Sequence, residues 1–165
     1  LHVRSRRQRQ MCIRDSPRGK GEMKDWRNEM QVLPIGKGKK LCDGDDIAVL
    51  SIGPIGNEVI KAIEMVKEEG VSIAHYDMIY LKPLDEELLH EIGQKYNRII
   101  TVENGVIKGG FGSAVLEFMA DNGYTPHVKR IGVPDAFIEH GSIPELYQLC
   151  GMDAESIAKQ LKKEN

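Results

Sequence analysis

Residues 98–122 read RIITVENGVIKGGFGSAVLEFMADN, and the order of residue types in this run sets the fold. The apolar stretch 98–102 reads as a strand, and a glycine-bearing loop follows it. From Ser113 to Asn122 the spacing of Val115, Phe118 and Met119 marks one face of a helix, which Gly123 stops. Strand, glycine loop and helix in that order mark the place where open α/β sheets hold their ligands. A second block, RIGVPDAFIEHGS at residues 130–142, repeats the strand and loop. Both loops carry acids: Glu103 in the first, Asp135 and Glu139 in the second.

Working outward, the same alternation recurs. Residues 38–42 and 47–52 flank Asp43-Gly44-Asp45, a turn sequence that predicts a hairpin with an edge strand. IAVLSI at 47–52 is a nearly continuous apolar run, as expected of a strand buried on both faces. A helix is predicted over 57–69, with Val59, Ile60, Ala62, Ile63 and Val66 inward and Gly70 as its stop. Residues 71–79 read as a strand. Asp85 then caps a helix through Tyr96, with Leu88, Leu89 and Ile92 inward. HVKRIGV at 127–133 is the next strand. Ser142 and Glu145 have capping-box spacing, and Asp153 caps a last helix carrying Ile157 and Leu161. Strands alternating with helices predict a mainly parallel sheet with helices on both faces.

Composition narrows the class. At 165 residues, 41% hydrophobic and 29% charged, the chain suits one soluble globular domain with a real core. No apolar run approaches the roughly 18 residues of a membrane helix. Cys12, Cys42 and Cys150 form no CxxC pair and are odd in number, which argues against a disulfide framework or zinc site and for a reducing cytoplasm. Charge is uneven: residues 1–16 hold five arginines and one acid, net +4, leaving −6 for the remainder of a chain whose total is −2. An arginine run can serve as a nucleic-acid arm. Here it lacks apolar periodicity and capping logic, so residues 1–16 are read as a non-native junction or disordered arm and no nucleic-acid partner is expected.

No complete catalytic set can be assembled from the residues. GGFGS could cradle an anion at a helix N-terminus, but it lacks the spacing of the dinucleotide fingerprint and of the P-loop. Close packing of a strand-to-helix turn accounts for it better. His75, His90 and His127 have no cysteine or carboxylate at ligand spacing, so no metal site is expected. Glu103 and His140, at presumed strand ends, are the possible loop contacts, and His140 has a pKa range suited to proton transfer. No catalytic residue is assigned.

The motifs PRG (17–19), LPIGKG (33–38), IAVLSIG (47–53), YLKPLDEELL (80–89), TVEN (101–104), GGFGSAVLE (109–117), IGVPDAFIEHGS (131–142) and LCGMDAESI (149–157) occur in one order. From Pro17 onward the chain resembles the C-terminal domain of the 1-deoxy-D-xylulose-5-phosphate synthases, within the transketolase family. The resemblance implies a three-layer α/β/α sandwich around a mostly parallel five-stranded sheet with one antiparallel edge strand. It implies an interdomain linker over 17–36 and the domain proper over 37–165.

The resemblance also implies a parent transferase that condenses pyruvate with glyceraldehyde 3-phosphate, releases carbon dioxide, and feeds isoprenoid and thiamine biosynthesis. Thiamine diphosphate and Mg2+ would belong to domains preceding this one, so none is expected on this fragment. The expected partners are those domains, a second subunit in a homodimer, and small-molecule substrates. Arg18 matches the arginine of the family's Tyr-Pro-Arg-Gly motif, which binds the aldehyde's phosphate; a guanidinium fork suits that group. Two departures stand out: Ser16 replaces the tyrosine, and Asn104 replaces a second glutamate common after TVE. The alternative is a free-standing interaction module of the pyruvate dehydrogenase beta C-terminal type.

Overall fold

The computed structural model describes residues 32–162. Arg18, the linker up to residue 31 and the arginine-rich segment 1–16 lie outside them.

Five strands form one sheet: β1 (Lys39–Cys42), β2 (Ile47–Ile52), β3 (Ile73–Asp77), β4 (Arg98–Val106) and β5 (His127–Val133). Their spatial order is β1-β3-β2-β4-β5. β3, β2, β4 and β5 pair in parallel, and β1 pairs with β3 antiparallel. Five α-helices are described: α1 (Gly56–Val66), α2 (Glu86–Lys95), α3 (Phe111–Asp121), α4 (Ile143–Leu149) and α5 (Ala154–Leu161). A short 3-10 turn, Lys67–Glu69, extends α1 to Gly70, whose φ of 76° ends the helical stretch. The fold is the expected three-layer α/β/α sandwich.

Alternation along the strands divides the core. Ile47 and Val49 point to the side of α1 and α5, where they meet Val59, Ala62, Val66, Ile157 and Leu161. Ala48 and Leu50 point to the opposite side, against Leu89 and Ile92 of α2 and Phe111, Val115 and Met119 of α3. A strand apolar at all positions but Ser51, IAVLSI, is therefore covered on both faces.

Two expectations are corrected. The turn at Asp43-Gly44-Asp45 does not close a hairpin: β1 is the antiparallel edge strand, but β3 lies between it and β2. The turn instead carries the chain past the start of β3. The Asp46 carboxylate accepts from Ser72 N–H at 2.9 Å and Ser72 Oγ accepts from Asp45 N–H at 3.0 Å. The Gly44 carbonyl accepts from the Tyr96 hydroxyl at 2.7 Å. Gly44 runs so close beneath β3 that a Cβ there would lie 2.1 Å from the carbonyl carbon of Ile73. The second correction is Ile60, which is 41% exposed rather than inward, because it sits at the border of α1 where no further described helix covers the sheet.

The helix ends follow local chemistry. Asp85 Oδ1 accepts from Leu88 N–H at 3.2 Å, capping α2, while its Oδ2 accepts from Gly38 N–H at 2.9 Å and ties the helix to the entry of β1. Lys37 adds a charge beside Asp85 and an ion pair with Glu87. At α4, Glu145 Oε2 accepts from both the N–H (2.9 Å) and the hydroxyl (2.6 Å) of Ser142. Asp153 Oδ2 accepts from Ser156 N–H at 3.1 Å to open α5.

Candidate functional site

In a sheet of this order the chain leaves β2 toward β3 on one side and returns to β4 on the other. The crevice outside the C-terminal ends of β2 and β4 is the topological switch point, where such sheets bind ligands. Ile52 and Glu103 are register partners there. β4 runs on to Val106, past the predicted end at residue 102, so Glu103 is a strand residue whose side chain points inward.

That side chain is 3% exposed. Its Oε2 accepts from Phe111 N–H at 2.7 Å and its Oε1 from Gly112 N–H at 2.8 Å. The first-turn amides of a helix have no intrahelical acceptor and carry the positive end of its dipole. The carboxylate of Glu103 satisfies two of them from within the chain. Two glycines make room for it: a Cβ on Gly110 of the first loop would lie 2.1 Å from Glu103 Oε2, and one on Gly132 of β5 3.1 Å from its Cγ. GGFGS thus packs around an internal anion, in line with the packing reading of the motif. A phosphate or diphosphate would have to displace a buried carboxylate, so the residues at this helix N-terminus do not fit such a group.

Neighbouring contacts continue the lock. Arg130 donates from Nη1 to the carbonyl of Ile107 and to Ser113 Oγ, both at 2.8 Å. Tyr147 of α4 donates to Asn104 Oδ1 at 3.2 Å, so the asparagine tethers a helix where the family pattern has a second acid. Asp135 forms an exposed ion pair with Lys108 at 3.1 Å, joining the two glycine loops. Glu139 and His140 lie farther along the second loop and are exposed. Glu103 and His140 are therefore not brought together as a reacting pair. Among the described residues no three His, Cys, Asp or Glu side chains converge as a metal cluster.

Sequence reasoning missed one buried polar pair. His75 of β3 is 1% exposed and its Nε2 lies 2.8 Å from Ser51 Oγ. Burial lowers its pKa to about 4, so the ring is neutral near pH 7. The available signal was a lone serine in one apolar strand and a histidine inside the next, two strands that pair in parallel.

Compared with known families, residues 36–157 match the model described as "Transketolase, C-terminal domain". The chain belongs to this family. Over 149 residues it is 99% identical to a 1-deoxy-D-xylulose-5-phosphate synthase of Parabacteroides distasonis, covering 90% of the chain and 24% of the relative. Over 148 residues it is 59% identical to the synthase of the same description from Bacteroides fragilis, covering 89% and 23%. The chain thus spans about a quarter of the length of these relatives. Among solved structures it resembles a "Split gene transketolase, inactive beta4 tetramer" at 30% identity and TM-score 0.71, covering 81% of this chain and 42% of that one. A transketolase from Campylobacter jejuni, 13% identical, shares the fold at TM-score 0.57, covering 76% and 18%. As a transketolase C-terminal domain, the chain places its signature loops at the switch point and fills that crevice with its own glutamate. No described helix is long and apolar enough to cross a membrane.

Proposed function

We propose that this chain is the C-terminal domain of a thiamine-diphosphate-dependent 1-deoxy-D-xylulose-5-phosphate synthase, a cytoplasmic transferase. In this reading the domain packs against the preceding domains and a second subunit, and is inactive alone. The 99% identity over 149 residues carries the reading. Thiamine diphosphate and Mg2+ belong to the rest of the synthase. Arg18 would hold the phosphate of glyceraldehyde 3-phosphate through a charge-assisted fork.

A docking role draws support from the strand-end surface. Phe137 is fully exposed, Ile143 and Leu149 are more than half exposed, and α4 buries none of its residues despite a well-formed N-terminal cap. Apolar groups held in defined positions on an otherwise soluble surface suit an interface.

The test is a pair of measurements. The 165-residue chain is expected to form no 1-deoxy-D-xylulose 5-phosphate from pyruvate and glyceraldehyde 3-phosphate, and to show no rise in melting temperature with thiamine diphosphate and Mg2+. In the full-length synthase, alanine at the position of Arg18 is expected to raise KM for glyceraldehyde 3-phosphate at least about tenfold, the loss of one charge-assisted contact. Turnover by the isolated chain, or an unchanged KM, would sink the respective claim. The second reading, a free-standing interaction module, is favoured by the neighbour described as a split-gene, inactive tetramer. A start codon with a ribosome site just upstream of Pro17 would support it.

A further inference from the structure

At the other end of the sheet from the glycine loops, the face bearing α1 and α5 is incompletely covered. α1 lies over β2, and beyond it the β3–β1 border is open. A cavity of about 540 Å³ lies there. Ile73, His75 and Cys42 form its floor, with Cys42 and His75 as register partners on adjacent strands. Ile60 and Ile63 of α1 form a wall, and Val71 closes one end. This volume is within the range of small-molecule sites, roughly 300–1,000 Å³, which are mostly apolar with few polar groups.

The polar group here is His75. Nε2 is committed to Ser51 Oγ, and Nδ1 has no hydrogen-bond partner among the described residues. The buried side-chain atoms left without a partner among the described residues are Thr101 Oγ1 and Asp153 Oδ1, so Nδ1 is open to the cavity rather than sealed in the core. Because the Ser51 hydroxyl can either donate to Nε2 or accept from it, Nδ1 is an acceptor in one tautomer and a donor in the other. A hydroxyl, which does both, is the complement that suits either state. Cys42 does not supply the missing bond, as its thiol donates to the Ile73 carbonyl at 3.4 Å. The walls contribute aliphatic carbon only, and the charged groups Asp43, Glu64 and Lys67 stand with Ser72 around the rest of the lining.

We infer that this cavity is a binding site for a small, uncharged, largely apolar molecule carrying one hydroxyl, its ring or chain against Ile60, Ile63 and Val71 and its hydroxyl on His75 Nδ1. The chemistry excludes phosphates and carboxylates, which would be desolvated against apolar walls beside Glu64 without a buried cation to pair with.

The test uses the 165-residue chain with phenol and toluene as probes, followed by NMR of the histidine side chains and the Ile and Val methyl groups. Phenol is expected to shift His75 and the methyls of Ile60, Ile63 and Val71 saturably, with a Kd of ~1 mM. Toluene, which lacks the hydroxyl, should bind at least about tenfold more weakly. Ile60→Trp, at a part-exposed helix position where folding tolerates change, fills the mouth and should abolish saturable binding of both. Shifts that do not saturate, that spread to Phe137 and Leu149, or that survive Ile60→Trp overturn the site. Equal binding of toluene and phenol overturns the assigned ligand class.

Discussion

Glu103 and Phe111 join strand β4 to helix α3 through a buried hydrogen bond of 2.7 Å, carboxylate to backbone amide. With the companion bond from Gly112, the bond couples the end of the central sheet to the first turn of the helix. Glu103→Ala would leave two buried N–H groups unsatisfied and a void behind them, at a cost of about 2–4 kcal/mol. Glu103→Gln keeps one acceptor and should lose roughly half as much. Urea unfolding of the two variants measures this directly; a loss under about 1 kcal/mol for Glu103→Ala would show that water replaces the carboxylate.

The same carboxylate, together with the Val106 carbonyl, explains why residue 110 is glycine. A methyl group there collides with Glu103 Oε2, so Gly110→Ala in the native background should destabilise by about 1–3 kcal/mol, the range of an overpacked site. In the Glu103→Ala background the collision with the carboxylate is gone while that with the Val106 carbonyl, 2.5 Å from the same Cβ, remains, so the penalty should shrink in part. A double-mutant cycle by denaturant midpoint reads the coupling. Additive losses would refute the packing account of the motif.

His75 makes stability depend on pH. Its folded pKa of about 4 lies below the ordinary value of about 6.5, because burial disfavours the charged ring. Between those values the unfolded chain takes up a proton that the folded chain does not, so stability falls as pH drops from about 6.5 toward 4 and is flat with respect to this group above that window. The loss approaches about 3 kcal/mol. Melting temperatures from pH 4 to 8 should show this slope, and His75→Gln should flatten it while keeping a polar partner for Ser51.

Asp85 acts at lower pH. Burial pushes its carboxyl up, but the hydrogen bonds from Gly38 and Leu88 and the charge of Lys37 outweigh burial and hold it below the usual carboxylate range. Its stabilisation is present above the unfolded pKa of about 3.9 and is lost as pH falls through the lower folded value. Asp85→Ala should cost about 1–2 kcal/mol at pH 7 for the cap and the tether together, with the difference from the native chain narrowing in acid. Hydrogen exchange should show faster opening at Gly38 in this variant.

Phe137 separates folding from assembly. It is fully exposed, so Phe137→Asp should change the stability of the 165-residue chain by less than about 0.5 kcal/mol. In the full-length synthase it should weaken subunit or domain association by at least about tenfold, read by sedimentation across a dilution series. Unchanged association would remove the strand-end surface from the interface.

Much of this architecture was legible in the chain. Continuous apolar runs named the strands, and Asp85, Glu145 and Asp153 named their helix starts, because caps act within four residues. The hairpin expectation at Asp43-Gly44-Asp45 failed for a physical reason: turn chemistry reports a change of direction, not which strand lies alongside. Glu103 was visible as an acid at a strand end, but its partners are backbone amides eight and nine positions ahead. A glutamate followed at that distance by glycines too tight for a Cβ was the clue. The His75–Ser51 pair spans 24 residues, and only register brings it together.

The passage of Gly44 beneath β3 has a consequence for the order of folding. Four residues join β1 to β2, enough for a hairpin, yet β1 takes as its partner among the described strands β3, some thirty residues further on. β1 can therefore join the sheet only after β2, α1 and β3 have assembled, since the longer loop must close before its pairing repays the entropy. The strand that enters the domain first along the chain docks onto the β2–α1–β3 unit last. At the sheet's edge, β1 is a latch that closes late and opens early.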